Sequence, residues 1–378
     1  MSKYDVIVVG AGPAGIFACY ELTRKAPHWK VLLVDKGHDI YRRRCPILEE
    51  KITLCPPAAG RKEFAGCLPA CSITAGFGGA GAYSDGKFNI TTEFGGWLSD
   101  YIAPSKVLDL IQYVDSINLE HGATTAVTDP MTDAVREIEQ RGYAAGLKLL
   151  RAQVRHLGTE QNLEILKSIY EYLNTRIDML FKAEVEDLVT EKIDGSHQVR
   201  GITLKNGETY EADLVMVAPG RDGSAWLTDI LKKRRLKMTN NQVDVGVRVE
   251  TSDVVMREIN EHLYEGKFIY NTSVGTRVRT FAAILPDMSW SKTTAASWRP
   301  TAIPSRIRRW VREIPTSRCS FRIGLPNRSI NPTNTRGKFA SGPMICRTAG
   351  SSCKNTAIFC ADVAPRPLAF PKASLNPR

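Results

Sequence analysis

The chain has no apolar run long enough to cross a bilayer, which takes about 20 consecutive residues. Nor does it open on a basic leader followed by a cleavage site; the N-terminus passes straight into a strand-like run. A membrane-spanning protein and an exported one are therefore set aside, and the expected location is cytoplasmic. Cysteine is present nine times but lacks an arrangement that would give it a joint task. Cys45, Cys55, Cys67 and Cys71 are separated by 9, 11 and 3 residues, which matches no zinc or iron–sulfur signature. Buried, reduced thiols are expected there, with no bound metal and no disulfide framework. Acidic residues are nearly missing from the last quarter. Residues 282–378 hold sixteen Lys and Arg against three Asp and Glu, a balance of +13, and eleven of the twenty prolines. The first 281 residues carry 35 basic and 37 acidic side chains, so the net charge of +11 belongs wholly to the tail.

What is present begins at once. Tyr4 to Val9 is an apolar run that reads as a buried strand. It breaks at Gly10-Ala11-Gly12-Pro13-Ala14-Gly15, resumes as a helix from Ile16 to Arg24, and is followed by Val31-Leu32-Leu33-Val34 and Asp35. This is the dinucleotide-binding fingerprint in its full context of strand, glycine turn, helix, strand and acid. Gly10 permits the turn, Gly12 leaves backbone bare for a pyrophosphate, and Gly15 lets the helix close on the strand. The helix N-terminus offers unpaired N–H groups and a partial positive charge. Asp35, 20 residues past Gly15, stands where a carboxylate holds ribose hydroxyls.

Beyond Asp35 and Lys36, Arg42-Arg43-Arg44 reads as a solvated turn, with phosphate contact as the alternative. Residues 74–89 hold four glycines within Gly76 to Gly81, which suits backbone lying against something flat or charged, and the embedded Phe77, Tyr83 and Phe88 argue against a linker. Helices are expected over Ser105 to Ile117, Thr132 to Gln140 and Glu160 to Leu173. Tyr143 to Gly158 reads as helix or loop; as a helix it would align Lys148, Arg151 and Arg155, a solvated face. Thr159 is a candidate cap. Strands are expected at Ala183 to Val189, in a hairpin of Val199 to Leu204 and Thr209 to Glu211 turning at Asn206-Gly207, at Asp213 to Arg221, at Asp244 to Glu250 and at Lys267 to Tyr270. No catalytic acid or base can be named; Lys87, Asp85 and His156 are candidates for which a structural role is the stronger expectation.

Together these elements resemble FAD-dependent oxidoreductases with the glutathione-reductase type of Rossmann domain. The phrases Arg44-Cys45-Pro46, Gly76 to Asn89, Gly146 to Glu160, Val217 to Gly220 and Asp244 to Arg248 are similar to a bacterial FAD-dependent dehydrogenase family, over about residues 3–281. The resemblance implies an α/β fold: a Rossmann-type FAD-binding domain with a parallel sheet and a β-hairpin cover, plus an incomplete substrate domain. It implies a first part of the FAD domain at 1–103, a helical insertion at 104–180, a second part at 181–235 and the start of the substrate domain at 236–281. It implies FAD as cofactor, with Gly10, Gly12, Pro13, Ala14 and Gly15 at the pyrophosphate, Asp35 at the adenosine ribose, Lys36 also in contact with the cofactor, and Val185 near the adenine. Gly79, Ala80 and Gly81 would pass the flavin end, and Ala218 and Gly220 would lie beside the pyrophosphate. NAD(P)H stays open as electron donor or acceptor. The expected partner is a small-molecule substrate, with neither membrane nor nucleic acid. The Cys67 to Cys71 spacing departs from that of the disulfide reductases, which speaks against a dithiol relay.

After Phe281 the resemblance stops. Back-translated and read one base earlier, Ala282 to Trp298 permits the family's continuation, Cys-x-Asn-Pro-x-Gly-His-Val and then Glu-Asn-Asn-Gly-Gly, and Cys353 to Pro367 permits a second stretch. The expectation is that 282–378 is a frameshifted, disordered tail and that FAD binding is weakened, because the late Gly-Asp phrase of this class is missing. A natural basic disordered tail and a nucleic-acid-binding tail stay open. So do a non-catalytic remnant and a flavoprotein of RNA modification.

Overall fold

The computed structural model describes residues 3–49, 51–52, 70–193, 196–238, 244–263, 265–284, 316–324 and 358–360. In chain order the elements are β1 (Lys3–Val9), α1 (Pro13–Lys25), β2 (Val31–Val34), a 3-10 turn (Gly79–Tyr83), β3 (Lys87–Ile90), α2 (Pro104–Glu120), α3 (Asp133–Ala144), β4 (Leu147–Leu149), β5 (Gln153–His156), α4 (Gly158–Asn174) and β6 (Asp178–Leu180). They continue as β7 (Val185–Ile193), β8 (Ser196–Leu204), β9 (Thr209–Val217), α5 (Ser224–Lys233), β10 (Asp244–Ser252), α6 (Asp253–Leu263), β11 (Phe268–Asn271), β12 (Arg277–Ile284), β13 (Thr316–Gly324) and β14 (Ile358–Cys360).

The first sheet runs β6-β2-β1-β9-β8-β7. β6, β2, β1 and β9 are parallel, and β8 and β7 fold back antiparallel as a hairpin cover. A parallel sheet covered on both faces needs strands that are apolar throughout, which is why β1 and β2 read as unbroken runs. Val6, Val8, Val31 and Leu33 pack with Ile16, Cys19 and Tyr20 of α1 and Ile165, Ile169 and Leu173 of α4. Tyr4, Ile7, Val9, Leu32 and Val34 pack on the other side with Val185, Ile202, Leu204 and Trp226. Each fully buried Val or Ile contributes about 1.5–3 kcal/mol, so these faces hold the sheet together. The expected mixed α/β, Rossmann-type architecture with a hairpin cover is what the chain forms.

A single strand replaces two expected ones. Thr209 to Glu211 and Asp213 to Val217 are continuous in β9, which pairs antiparallel with β8 at its start and parallel with β1 from Lys3↔Glu211 to Val9↔Val217. A strand has two edges, and nine residues suffice to serve both neighbours.

The second sheet runs β14-β10-β13-β12-β11-β4, and Val135 and Ile138 of α3 and Leu263 of α6 pack with Leu149 and Phe268. β13 and β14 belong to the basic last quarter. The β12–β13 register shifts between Thr280 and Ala282, at the residue where the family resemblance ends.

The expected helices at 105–117, 132–140 and 160–173 form as α2, α3 and α4, each extended by a few residues. Thr132 caps α3, its side chain accepting from the Val135 N–H at 3.3 Å. Thr159 does not cap α4; Leu157 holds that position without a side-chain hydrogen bond. The Tyr143–Gly158 stretch is not helical. α3 ends at Ala144 with Ala145 as its C-cap, Gly146 follows with a φ of +73° that a side chain disfavours, and two short strands come next. Lys148, Arg151 and Arg155 therefore share no helical face. Arg155 is buried and grips Asp115 of α2 through Nε and one terminal guanidinium nitrogen at 2.8 and 2.7 Å. The segment expected to be helical to residue 180 closes instead with β6, parallel to β2.

Candidate functional site

The glycine turn is packed backbone on backbone. Gly10 has φ +106°, and a Cβ on it would stand 2.2 Å from the Ala218 carbonyl oxygen. A Cβ on Gly15 would stand 1.9 Å from the Gly10 carbonyl oxygen. These two glycines are required by the protein itself. Gly12 is different: its nearest neighbour would be the Gly79 Cα at 4.0 Å, so a side chain there would fill space next to the helix end rather than collide with the fold. Gly12 is the N-cap of α1 and makes no side-chain cap, Pro13 takes the first helical position, and Pro13 and Ala14 are exposed. Ile16 is the first residue whose N–H returns to a helix carbonyl, that of Gly12 at 2.9 Å.

The turn lies at the carboxyl end of β1, beside the carboxyl end of β9. From β1 the chain crosses through α1 to β2 on one side, while β9 closes the other side. A parallel sheet binds its ligand at such a reversal. Ala218 hydrogen-bonds back to the Val9 carbonyl at 2.8 Å, and Gly220, with φ +62°, is exposed with nothing within 4 Å of a Cβ position. Val185 is buried at the start of β7.

Asp35 follows directly on β2, but its carboxylate is engaged by the chain's own backbone. Oδ2 accepts from the Ala11 N–H at 2.8 Å, and Oδ1 from the Gly37 and Gly76 N–H groups at 2.7 and 2.8 Å. A carboxylate accepts about four such bonds, and three are filled among the described residues. Lys36 pairs with Asp222 at 2.6 Å, half-exposed.

The Gly76–Gly81 segment folds against the turn. The Gly78 N–H donates to the Ala11 carbonyl at 2.8 Å and the Phe77 N–H to the His38 carbonyl at 3.0 Å, while Gly79, Ala80 and Gly81 form the 3-10 turn beside Pro13. Phe77 is fully buried, which anchors the segment in the core. Asn162 of α4, also buried, donates to the Gly81 carbonyl at 2.8 Å.

Of the three arginines, Arg42 and Arg44 are exposed and make loose surface pairs with Asp39 and Glu49, as a solvated turn should. Arg43 is a correction to that expectation. Its guanidinium is buried and donates to the carbonyls of Ser72, Phe77 and Ile73 at 2.9, 2.6 and 3.0 Å. It also lines a cavity of about 230 Å³ with Ile40, Leu48, Ala82, Tyr83, Thr159 and Leu163.

A second polar cluster joins the three candidates for acid–base work. β3 and β5 pair with Lys87 opposite His156, and Asp85 Oδ2 stands 4.0 Å from His156 Nε2. Lys87 Nζ donates to Glu265 at 2.6 Å, and Lys267 meets the same oxygen at 2.9 Å. Burial, with help from Lys87, pushes the His156 imidazole below its ordinary range against the opposing pull of Asp85. Burial likewise lowers the Lys267 ammonium. Sequence reasoning missed Glu265 and Lys267, which carry no local signal; only the crossing of β3 past the second sheet brings them to Lys87.

Cys45 is buried and Cys71 half-buried, both as free thiols; Cys55 and Cys67 lie outside the described residues. Burial pushes the Cys19 thiol up to about 12, which keeps it protonated and inert. Among the described residues no group of three His, Cys, Asp or Glu could hold a metal ion, and no helix is long and apolar enough to cross a membrane.

These features make up the glycine turn of a Rossmann-type sheet. Bare backbone at Gly12 and Gly220 and an uncapped helix end are compatible with a diphosphate-bearing nucleotide such as FAD. No protein-family model matches the chain, and no curated protein does. Solved structures similar to it include an L-amino acid deaminase from Proteus vulgaris (13% identity, 73% of this chain and 60% of that one, TM-score 0.36). A glycine oxidase from Geobacillus kaustophilus is another (15% identity, 88% and 87%, TM-score 0.36). A third is pqsL, a probable FAD-dependent monooxygenase from Pseudomonas aeruginosa (12% identity, 90% and 64%, TM-score 0.36). The chain spans less than two thirds of the length of the first and third of these.

Proposed function

We propose that the chain is an FAD-dependent oxidoreductase, a dehydrogenase acting on a small molecule. The observation that carries this is the convergence at the carboxyl ends of β1 and β9: bare backbone at Gly12, the uncapped N-terminus of α1, and the Gly76–Gly81 segment folded across them. Gly12, Pro13, Ala14 and Gly15 would hold the pyrophosphate with Ala218 and Gly220 beside it, Asp35 the ribose, Val185 the adenine side, and Gly79 to Gly81 the flavin end. Lys36, held by Asp222, would place a positive charge near the adenosine half. When bound, the flavin supplies acceptance of a hydride. The chain would supply position, exclusion of water and a place for the proton. His156, neutral near pH 7 and backed by Asp85, is the candidate to take that proton, with Lys87 held beside it by Glu265.

The test is the visible spectrum of the purified protein. Two flavin absorption bands that survive desalting support the reading, and a colourless, folded protein that fails to quench added FAD fluorescence rejects it. NAD(P)H as electron donor or acceptor is part of the same proposal; stopped-flow bleaching of those bands by NADPH or NADH checks it.

We also infer that residues 282–378 are read out of frame. The charge break and the two stretches that fit the family after a one-base shift support this. The in-register pairing of β13 does not decide the matter, since strand pairing runs through backbone groups that every sequence has. Resequencing the gene across codon 281 is expected to show the shift, and an intact frame with this tail would reject it.

A further inference from the structure

We propose that Arg43 is a positioning residue for the dinucleotide cradle: its guanidinium fixes the shape of the Ser72–Gly79 segment, which sets the Gly78–Gly79 backbone over the Gly12 turn before any ligand arrives. The proposal rests on the flavin reading of that turn.

A buried guanidinium is expensive to desolvate and is retained where its fork geometry is used. Here the fork points at main-chain oxygens of one segment. Nε donates to Ser72, one arm to Ile73 and the other to Phe77. The Tyr83 ring lies 5.1 Å from the guanidinium carbon, and the Tyr83 hydroxyl donates back to the Arg43 carbonyl at 2.8 Å. The arginine is thus held by the 3-10 turn that follows directly on the segment it organises. Asp35 takes the Gly76 N–H at 2.8 Å, so the segment is pinned through three carbonyls by a cation and through an amide by an anion.

The consequence reaches the cradle in two residues. The carbonyl of Phe77 is bound by Arg43, the next N–H, that of Gly78, donates to Ala11, and Gly79 then lies against Gly12. The glycines make this close approach possible. A Cβ on Gly76 would stand 2.4 Å from the His38 carbonyl oxygen, and one on Gly37 2.4 Å from the Gly76 nitrogen. A segment so poor in side chains has little of its own to hold a shape, and an external fork supplies it. A lysine has three donors, but all on one nitrogen, so it cannot span the three carbonyls that Nε and the two terminal nitrogens of Arg43 serve separately.

The experiment uses the full chain with Arg43→Lys, Arg43→Ala and Tyr83→Phe. Two quantities are read: hydrogen exchange of the Gly76, Phe77 and Gly78 amides in flavin-free protein, against the Val8 and Leu33 amides of the sheet, and the Kd for FAD. Arg43→Lys is expected to speed exchange at 76–78 by about tenfold or more with the sheet amides unchanged, and to weaken FAD binding by about tenfold. Tyr83→Phe is expected to do both more weakly. In Arg43→Ala, added ethylguanidinium should restore protection and part of the affinity. Unchanged exchange in Arg43→Lys overturns the proposal. So does selective loss of protection with FAD affinity retained, and so does loss spread evenly over the sheet, which would make Arg43 a packing residue. If the wild-type chain binds no FAD while Arg43→Lys still exposes 76–78 alone, the flavin reading falls and the positioning role stands.

Discussion

Gly10, Gly12 and Gly15 sit in one turn but answer to different neighbours. Gly15→Ala drives a methyl into the Gly10 carbonyl, and the backbone must part from the strand. A loss of about 3 kcal/mol is expected, read as a lower urea midpoint. Gly12→Ala meets nothing closer than 4.0 Å, so its midpoint should move by less than about 1 kcal/mol while FAD affinity collapses. That split separates a glycine kept for the fold from one kept for a ligand. Arg155 offers a second test at this scale. Arg155→Met would strand the buried Asp115 carboxylate, at a cost of about 3–5 kcal/mol by urea denaturation. The three arginines at 42–44 show the limit of sequence reading here. Their identity says surface for all three, yet Arg43 turns inward because carbonyls of a segment thirty residues away have gathered to receive it.

Between elements, helices α1, α2 and α4 meet through rings. His121, at the end of α2, hydrogen-bonds Ser168 of α4 at 2.8 Å and lies edge-on to Tyr20 of α1 and Tyr172 of α4. Burial depresses His121, and likewise His38 and His156. Each binds a proton less readily folded than unfolded, so each contributes stability above pH 6.5 that is lost as pH falls through its lower folded value. The melting temperature should therefore drop between pH 7.5 and pH 5.5, and His121→Gln should flatten that slope. Helix periodicity was legible at α2, α3 and α4 because each buries one apolar stripe. The short strands β4, β5 and β6 were not, since three or four residues give no period to read and their pairing partners lie far along the chain.

The described residues form two six-stranded sheets and the two-stranded β3–β5 pair, and the groups most suited to proton chemistry lie where that pair touches the second large sheet. If the Lys87–Glu265 pair only ties the two together, Lys87→Met will lower thermal stability and leave the pH profile of turnover in place. The proposed function expects that profile to shift upward instead, since Lys87 helps hold the His156 imidazole low. The sequence by itself determined the cradle: unbroken apolar strands demand a sheet covered on both faces, and a glycine turn between strand and helix leaves backbone amides bare wherever that sheet is built. Those are local consequences of side-chain size and hydration. Only the tertiary structure decided that Asp35 and Arg43 grip the same segment, that β9 is one strand with two partners, and that Lys87, His156 and Glu265 come together. Contacts such as Arg43–Ser72, 29 positions apart, and Lys87–Glu265, 178 apart, follow from how the sheets and helices pack, and no short-range pattern records them.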